Sequence, residues 1–314
     1  MTQSATYLPT EAAAGRRLLL VHAHPDDESI ANGATMAKYV AEGADVTLVT
    51  CTGGEMGEIL VPELEHLAAH RDDRLAEHRR SELADAMVHL GVTDHRYLGG
   101  FGRFRDSGMA WGEDGNATVD PNTGPDAFWN ADLLTASNYL VEIIREIRPH
   151  ALITYDEFGN YGHPDHIQAH RVAHYASDLA AIRTYRPDLG SAWDVPRIFW
   201  TAMSAQRFRT GLRQLAESEH GDDFDQMDPE NLPAFAKEDD ELDVVIDADD
   251  FVEAKLAAMK AHVTQIDVDG PFFALSNNLG NKVWAEEFYR LAKGTLPHDG
   301  LPHDGMARDL FIGL

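Results

Sequence analysis

Two short stretches carry most of the groups in this chain that could do chemistry. They are His24-Pro25-Asp26-Asp27-Glu28 and, far downstream, Tyr161-Gly162-His163-Pro164-Asp165-His166. His24 and Asp27 lie three positions apart and can converge on one divalent cation, and His166 can complete a His-His-carboxylate set with one position left for water. Such a set is typical of catalytic zinc, because structural zinc more often takes four protein ligands with cysteines among them. Non-haem iron uses the same donors, so Fe2+ stands beside Zn2+ as the metal. Asp26, between two ligands, is free to take a proton as a general base. His163 is a candidate general acid, with Asp165 hydrogen-bonding its ring and holding it charged. The Tyr161 phenol can steady a developing oxyanion. In the competing reading Asp26 or Asp27 only caps a helix. Two His-Pro-Asp stretches, each just past a strand, favour the metal.

The surrounding elements place both stretches at strand ends. Arg16–Val21 reads as a buried strand, followed by a helix from about Asn32 to Ala41, and Asp45–Cys51 as a second strand. Thr52–Glu58 is a Gly-rich loop without the pattern of a dinucleotide or Walker site, and is expected to line the cleft. Leu75–Leu90 has helical periodicity and ends at Gly91. Tyr97–Gly100 reads as a short strand and turn, and Phe101–Gly124 as a long ordered loop. Ala131–Arg148 reads as a helix, Ala151–Tyr155 as a strand and Asp165–Leu179 as a helix. Ile198–Thr201, Ala205–Ala216, Val244–Ile246 (an edge strand) and Phe251–His262 follow as strand, helix, strand and helix. Alternating strands and helices predict an α/β fold, a Rossmann-like, mostly parallel sheet with helices on both faces. Ligands bind such sheets at the strand carboxyl ends. The predicted organisation is a disordered leader (1–15), a catalytic domain (16–195), a less regular C-terminal part of the same domain or a small lobe covering the cleft (196–294), and a tail (295–314). Asp222–Glu241 reads as an acidic surface segment, and the tandem Leu-Pro-His-Asp-Gly pentapeptide as part of a flexible tail.

Composition bounds the classes. The 314 residues are 44% hydrophobic, enough for a real core, and no apolar run approaches the ~20 residues of a membrane span. A formal charge of −27 disfavours nucleic acid and anionic membrane surfaces as partners. The single Cys51 excludes an internal disulfide, suits the cytoplasm, and leaves any metal to His and carboxylate. Nothing in the sequence sets an oligomeric state.

The two motifs together resemble those of the LmbE/PIG-L-like zinc deacetylases, which remove N-acetyl groups from amino sugars. Val21–Thr35, Gly102–Met109, Tyr161–His166 and Leu275–Leu279 are similar to the branch that deacetylates N-acetylglucosaminyl-inositol in mycothiol biosynthesis. The resemblance spans about residues 16–290. It implies His24, Asp27 and His166 as zinc ligands and Asp26 as the base. It also implies His163 as the acid with Asp165 behind it, and Tyr161 as the group polarising the acetyl carbonyl. It further implies that Arg79 and Asp106 hold sugar or inositol hydroxyls and that Glu58 and Met109 line the cleft, which fits a small amino sugar–inositol substrate. A sister branch, amidases of mycothiol S-conjugates, shares the zinc motifs but tends to carry a Lys just after the first. Here Ile30-Ala31-Asn32 has none, which favours the deacetylase. A non-enzymatic sugar- or metal-binding module would leave Asp26 and His163 idle, and a dehydrogenase would need the glycine fingerprint that is absent.

Overall fold

In a computed structural model of the chain, which describes residues 13–113, 115–216, 232, 236–267, 286–297, 301–302 and 304–314, strand β1 (Arg17–His22) runs through the middle of the sheet. Its register pairs Leu18 with Val46 of β2 (Asp45–Thr50) on one side and with Ala151 of β6 (Ala151–Thr154) on the other, both parallel. β3 (Asp94–Tyr97) extends the sheet beyond β2 and β7 (Arg197–Ser204) beyond β6, also in parallel. The full order is β3-β2-β1-β6-β7-β10-β9, in which β10 (Glu286–Lys293) is antiparallel to both β7 and β9 (Val244–Asp247). A short β8 (Ala236–Lys237) joins the end of β7.

The sheet is covered on both faces, and β1 shows why its sequence is apolar without a break. Leu18 and Leu20 point into a cluster with Met36 and Tyr39 of α1 (Asp27–Ala41) and Leu83 and Met87 of α2 (Leu75–Leu90). Leu19 and Val21 point into a second cluster with Leu140 and Ile144 of α3 (Leu133–Ile147) and Ala169 and Val172 of α5 (Pro164–Ala181). Period-two alternation thus supplies both cores from one strand. Two further helices, α6 (Ala205–Ala216) and α7 (Val252–Ala261), follow β7 and β9, and a single turn, α4 (Gly159–Gly162), precedes α5. Among the described residues no helix is long and apolar enough to cross a membrane.

Several expectations need correction. The first helix begins at Asp27, so the motif's own residues form its first turn. The region beyond Pro196 is regular where it is described: β7, β10 and β9 continue the one sheet. β10 escapes sequence reading because Glu286, Glu287, Arg290 and Lys293 interrupt its apolar pattern. The Phe101–Gly124 loop contains a hairpin of β4 (Ala110–Trp111) and β5 (Ala117–Thr118). The tail is packed: Met306, Ala307, Leu310 and Phe311 are buried, and the Arg197 guanidinium donates to the carbonyls of Thr295, Leu310 and Ile312 at 3.0, 2.8 and 2.6 Å. Its apolar residues are close together, but the Tyr39 they pack against lies 271 positions from Leu310, so no local pattern reveals the partner they cover. Ala13, at the end of the expected leader, is also buried. Residues 1–12, most of the acidic segment, Leu275–Leu279 and part of the pentapeptide repeat lie outside the described residues.

Candidate active site

The sheet grows from β1 toward β2 and β3 in one direction and toward β6 and β7 in the other. The crevice between the carboxyl ends of β1 and β6 is therefore a topological switch point. His24, Asp26 and Asp27 follow β1, and Tyr161, His163, Asp165 and His166 follow β6, so neighbouring strands bring the two motifs together. All but Asp165 line one cleft of about 570 Å³, with Arg79, Asp106, Glu58 and Met109 also on its wall. The Thr52–Glu58 loop reaches it through Met56, Gly57 and Glu58, as expected.

The Asp27 carboxylate bridges two imidazoles: Oδ2 is 3.3 Å from His24 Nδ1 and Oδ1 is 3.3 Å from His166 Nε2. It is fixed from behind, where Oδ2 accepts from the His24 backbone N–H at 2.9 Å and from the Tyr155 hydroxyl at 2.7 Å. Asp26 occupies the N-cap position of α1 yet makes no side-chain capping bond, so the helix-cap reading does not hold for it. Two overlapping groups of buried donors, His24–His163–His166 and His24–Asp106–Asp165, each bring ligand atoms within 4.8 Å of one another. Neither ring nitrogen of His166 makes a hydrogen bond, although both are buried and Nε2 stands 3.3 Å from the Asp27 carboxylate. A buried imidazole without a hydrogen bond is costly, and a cation shared with that carboxylate would satisfy it. The donor set therefore fits a metal ion.

Electrostatics point the same way. Burial opposes a charge on His24, but Asp106, Asp165 and Asp27 outweigh it and hold its pKa well above the ordinary value. A carboxylate set that draws a proton onto His24 also draws a cation. Burial likewise opposes the charge of Asp27, and His166 and His24 outweigh it, keeping the carboxyl well below its usual range. Asp26 is pushed up to about 6, chiefly by burial, with Arg79 opposing and Asp27 adding to the rise. Its carboxylate lies 3.2 Å from Arg79 Nη2.

Two expected contacts differ. The Asp165 carboxylate does not hold the His163 ring. It accepts from the Ser107 N–H at 2.8 Å and from the Ser107 hydroxyl, and lies 3.3 Å from His24 Nε2. Instead, the backbone N–H of Asp165 donates to His163 Nδ1 at 3.1 Å, making His163 the N-cap of α5. Nor is His163 held charged: burial, then His24 and His166, push it down to about 2. The sequence reading took spacing for contact; the first turn of a helix turns a side chain at the second position away from the cap. Arg79 is also more committed than expected. It is buried and donates to the carbonyls of Gly54 and Pro25 while pairing with Asp26, so it braces two loops as well as facing the cleft. Asp106 is buried at the site's centre, where its Oδ1 lies 3.6 Å from His24 Nε2. Glu58 and Met109 are exposed on the cleft wall. Tyr161 stacks on Trp111 of β4 at 6.4 Å between centroids. Gly162 makes room for this hairpin: at φ 96°, a Cβ there would stand 2.4 Å from the Ala117 carbonyl oxygen.

Sequence reasoning missed the supports. Tyr155 lies flat on His166, with centroids 4.1 Å apart and planes 14° apart, and its hydroxyl also accepts from the Ala23 N–H at 2.8 Å. His22, next to that hydroxyl at 3.2 Å, donates to Asn32 Oδ1 at 2.8 Å. Glu55 accepts from the Asp106 N–H at 2.9 Å. Each follows the motif strands or loops, but a tyrosine ending an apolar strand carries no mark of its partner.

Fold and site together define an α/β protein whose switch-point crevice holds a buried His-and-carboxylate set able to bind a metal. The GlcNAc-PI de-N-acetylase (PIG-L) family model matches residues 19–177, which include both motifs. A relative from Nocardioides sp., named 1D-myo-inositol 2-acetamido-2-deoxy-alpha-D-glucopyranoside deacetylase, is 64% identical over 95% of this chain and 99% of its own length. A relative of the same name from Kribbella flavida is 63% identical over 95% of this chain and 98% of its own. Among solved structures, the N,N'-diacetylchitobiose deacetylase from Pyrococcus horikoshii shares the fold, with a TM-score of 0.59 at 19% identity over 89% of this chain and 84% of that one. The chain belongs to the PIG-L family and is a deacetylase.

Proposed function

We propose that this enzyme is a zinc-dependent hydrolase that removes the acetyl group from N-acetylglucosaminyl-inositol. The observation that carries the reading is the meeting of both His-Pro-Asp turns in one cleft, with the Asp27 carboxylate 3.3 Å from both His24 and His166. The near full-length identity to relatives named for this substrate supports it. His24, Asp27 and His166 would hold the metal, and the lack of a hydrogen bond at either buried ring nitrogen of His166 supports its place in the set. His163 is the weaker third ligand, because its Nδ1 already accepts the Asp165 N–H. When bound, zinc supplies Lewis acidity toward water and the acetyl carbonyl. Asp26, with a pKa raised to about 6, takes the proton of the attacking water near neutral pH. Tyr161, on the cleft wall beside His166, donates to the carbonyl oxygen as charge develops. The proton that Asp26 takes is the one the leaving amine needs; His163, neutral in the resting cleft, would act as acid by receiving that proton and passing it to the amine nitrogen. Arg79 holds the Asp26 carboxylate, and Arg79 and Asp106 face sugar hydroxyls, with Glu58 and Met109 along the wall.

The test is acetate release by zinc-loaded and iron-loaded protein from N-acetylglucosaminyl-inositol, plain N-acetylglucosamine and a mycothiol S-conjugate. Preference for the inositol sugar supports the reading. Preference for the conjugate replaces it with the amidase, and greater activity with iron replaces the metal.

A further inference from the structure

Glu28, the last residue of the first motif, has no role in the reading above, yet it is fully buried. Its Oε2 accepts from the backbone N–H of Asp26 at 3.0 Å. Its Oε1 accepts from the Ser29 hydroxyl at 2.6 Å and lies 3.1 Å from His262 Nε2, 234 positions along the chain. A buried carboxylate is tolerable only when its charge is met, and His262, itself fully buried, meets it. His262 stands just past α7 and is fastened there. Its N–H donates to the Met259 carbonyl at 3.1 Å, and its carbonyl accepts from Gln265 and Ile266. Two residues on, Thr264 donates its N–H and hydroxyl to the Glu82 carboxylate of α2 at 2.9 and 2.8 Å. The arm behind Glu28 is therefore anchored to two helices.

What this arm grips is a strained backbone in the site. Asp26 has φ 127° and ψ −34°, a region an L residue enters at a cost of roughly 1–3 kcal/mol and keeps only where its surroundings over-determine it. The grip has two ends. Glu28 takes the Asp26 amide, and Arg79 takes its carboxylate together with the Pro25 carbonyl.

We propose that Glu28, held by His262, is a positioning residue that keeps the Asp26 peptide in this strained conformation and so aims its carboxylate into the cleft. The inference rests on the reading of Asp26 as the proton acceptor. A merely stabilising ion pair would make no distinction between losing the charge and losing the acceptor of the Asp26 amide.

The experiment compares Glu28→Ala, Glu28→Gln and His262→Ala in the full chain. In zinc-loaded protein it reads kcat, KM and bound zinc with N-acetylglucosaminyl-inositol. In 15N-labelled, zinc-free protein it reads hydrogen exchange at the Asp26 amide. Misplacing a reacting group by about 1 Å can cost ~100-fold, so Glu28→Ala is expected to lower kcat by about 10- to 100-fold, with KM within about threefold and zinc retained. Glu28→Gln keeps an acceptor oxygen and is expected to recover most of that loss, and Asp26 amide exchange should be about tenfold faster in the alanine variant than in the glutamine one. His262→Ala should fall between them, and carries the test if Glu28→Ala does not fold. Equal losses in the Ala and Gln variants, or an Asp26 amide unchanged in Glu28→Ala or His262→Ala, overturn the proposal. If the unaltered enzyme releases acetate from no N-acetyl sugar, the functional reading fails, while amide exchange still decides the positioning.

Discussion

In the first His-Pro-Asp turn, the aspartate after the proline keeps its carboxylate at the cleft, 17% exposed and paired with Arg79 at 3.2 Å. In the second, the corresponding Asp165 is fully buried and bonded to Ser107. The same three letters follow neighbouring parallel strands and precede helices, yet they end in different states. The first turn carries its strain in Asp26, at φ 127°, and puts two carboxylates forward. The second closes on itself, with His163 capping α5 and Asp165 turned back to steady His24 from the far side of its ring. One turn is built to expose acid groups, and the other to lock an imidazole donor set. The lesson is that a motif's letters specify donors, whereas the backbone they sit on decides which donors face substrate.

That contrast can be broken most sharply at Asp26. Asp26→Ala should retain zinc but lose roughly 10²–10⁴-fold in kcat, read by acetate release alongside metal analysis. Full turnover would remove Asp26 from the chemistry and collapse the distinction. The opposite pattern belongs to the second turn and its supports. Tyr155→Phe removes the hydroxyl that fixes Asp27 and accepts the Ala23 N–H, and should weaken zinc binding by about 10- to 100-fold in chelator competition. Asp165→Asn leaves the buried Ser107 N–H or hydroxyl poorly matched, and thermal unfolding should show a loss of about 1–3 kcal/mol. Unchanged stability there would mean that the second turn is no more locked than the first.

The smallest effect lies further along α5, where Trp200 donates its indole N–H to His174 Nε2 at 2.9 Å. Burial first, then His170 and Lys293, lower His174 to about 4. Because the unfolded imidazole titrates near ~6.5, this group's contribution to stability is full above that pH and lost progressively as pH falls toward 4. Trp200→Phe should raise the His174 pKa, followed by ring-proton NMR, and shrink that acid-side loss. An unmoved titration would show that the indole bond contributes nothing to keeping the ring neutral.

How much of this was readable in advance follows from distance along the chain. The β1 and β6 apolar runs, the helix over Leu75–Leu90 and both motifs are local patterns, and the fold brings every titratable residue of the motifs except Asp165 and Glu28 to the wall of one cleft. The partner of Glu28 is a histidine 234 positions later, which no local period encodes. β10 was hidden because its buried Glu287 is matched by Lys255 at 2.7 Å and by the N–H groups of Ala34 and Thr35, so a charge sits where a strand pattern calls for an apolar residue. Asp165 misled because two positions in sequence suggested a side-chain contact that the helix geometry reverses.

The packed C-terminal segment bears on how the molecule assembles in time. The Tyr39 hydroxyl, on the first helix, accepts the N–H of Leu310, 271 positions away, and its ring meets Phe311 edge-on at 4.9 Å. One face of the central strand is thus covered by residues 271 positions downstream of the helix they pack against. Contacts so distant in sequence slow folding and leave apolar surface waiting for its cover. The α3–α5 side of the sheet, built from elements nearer to one another in sequence, can close before the α1 side receives its cover.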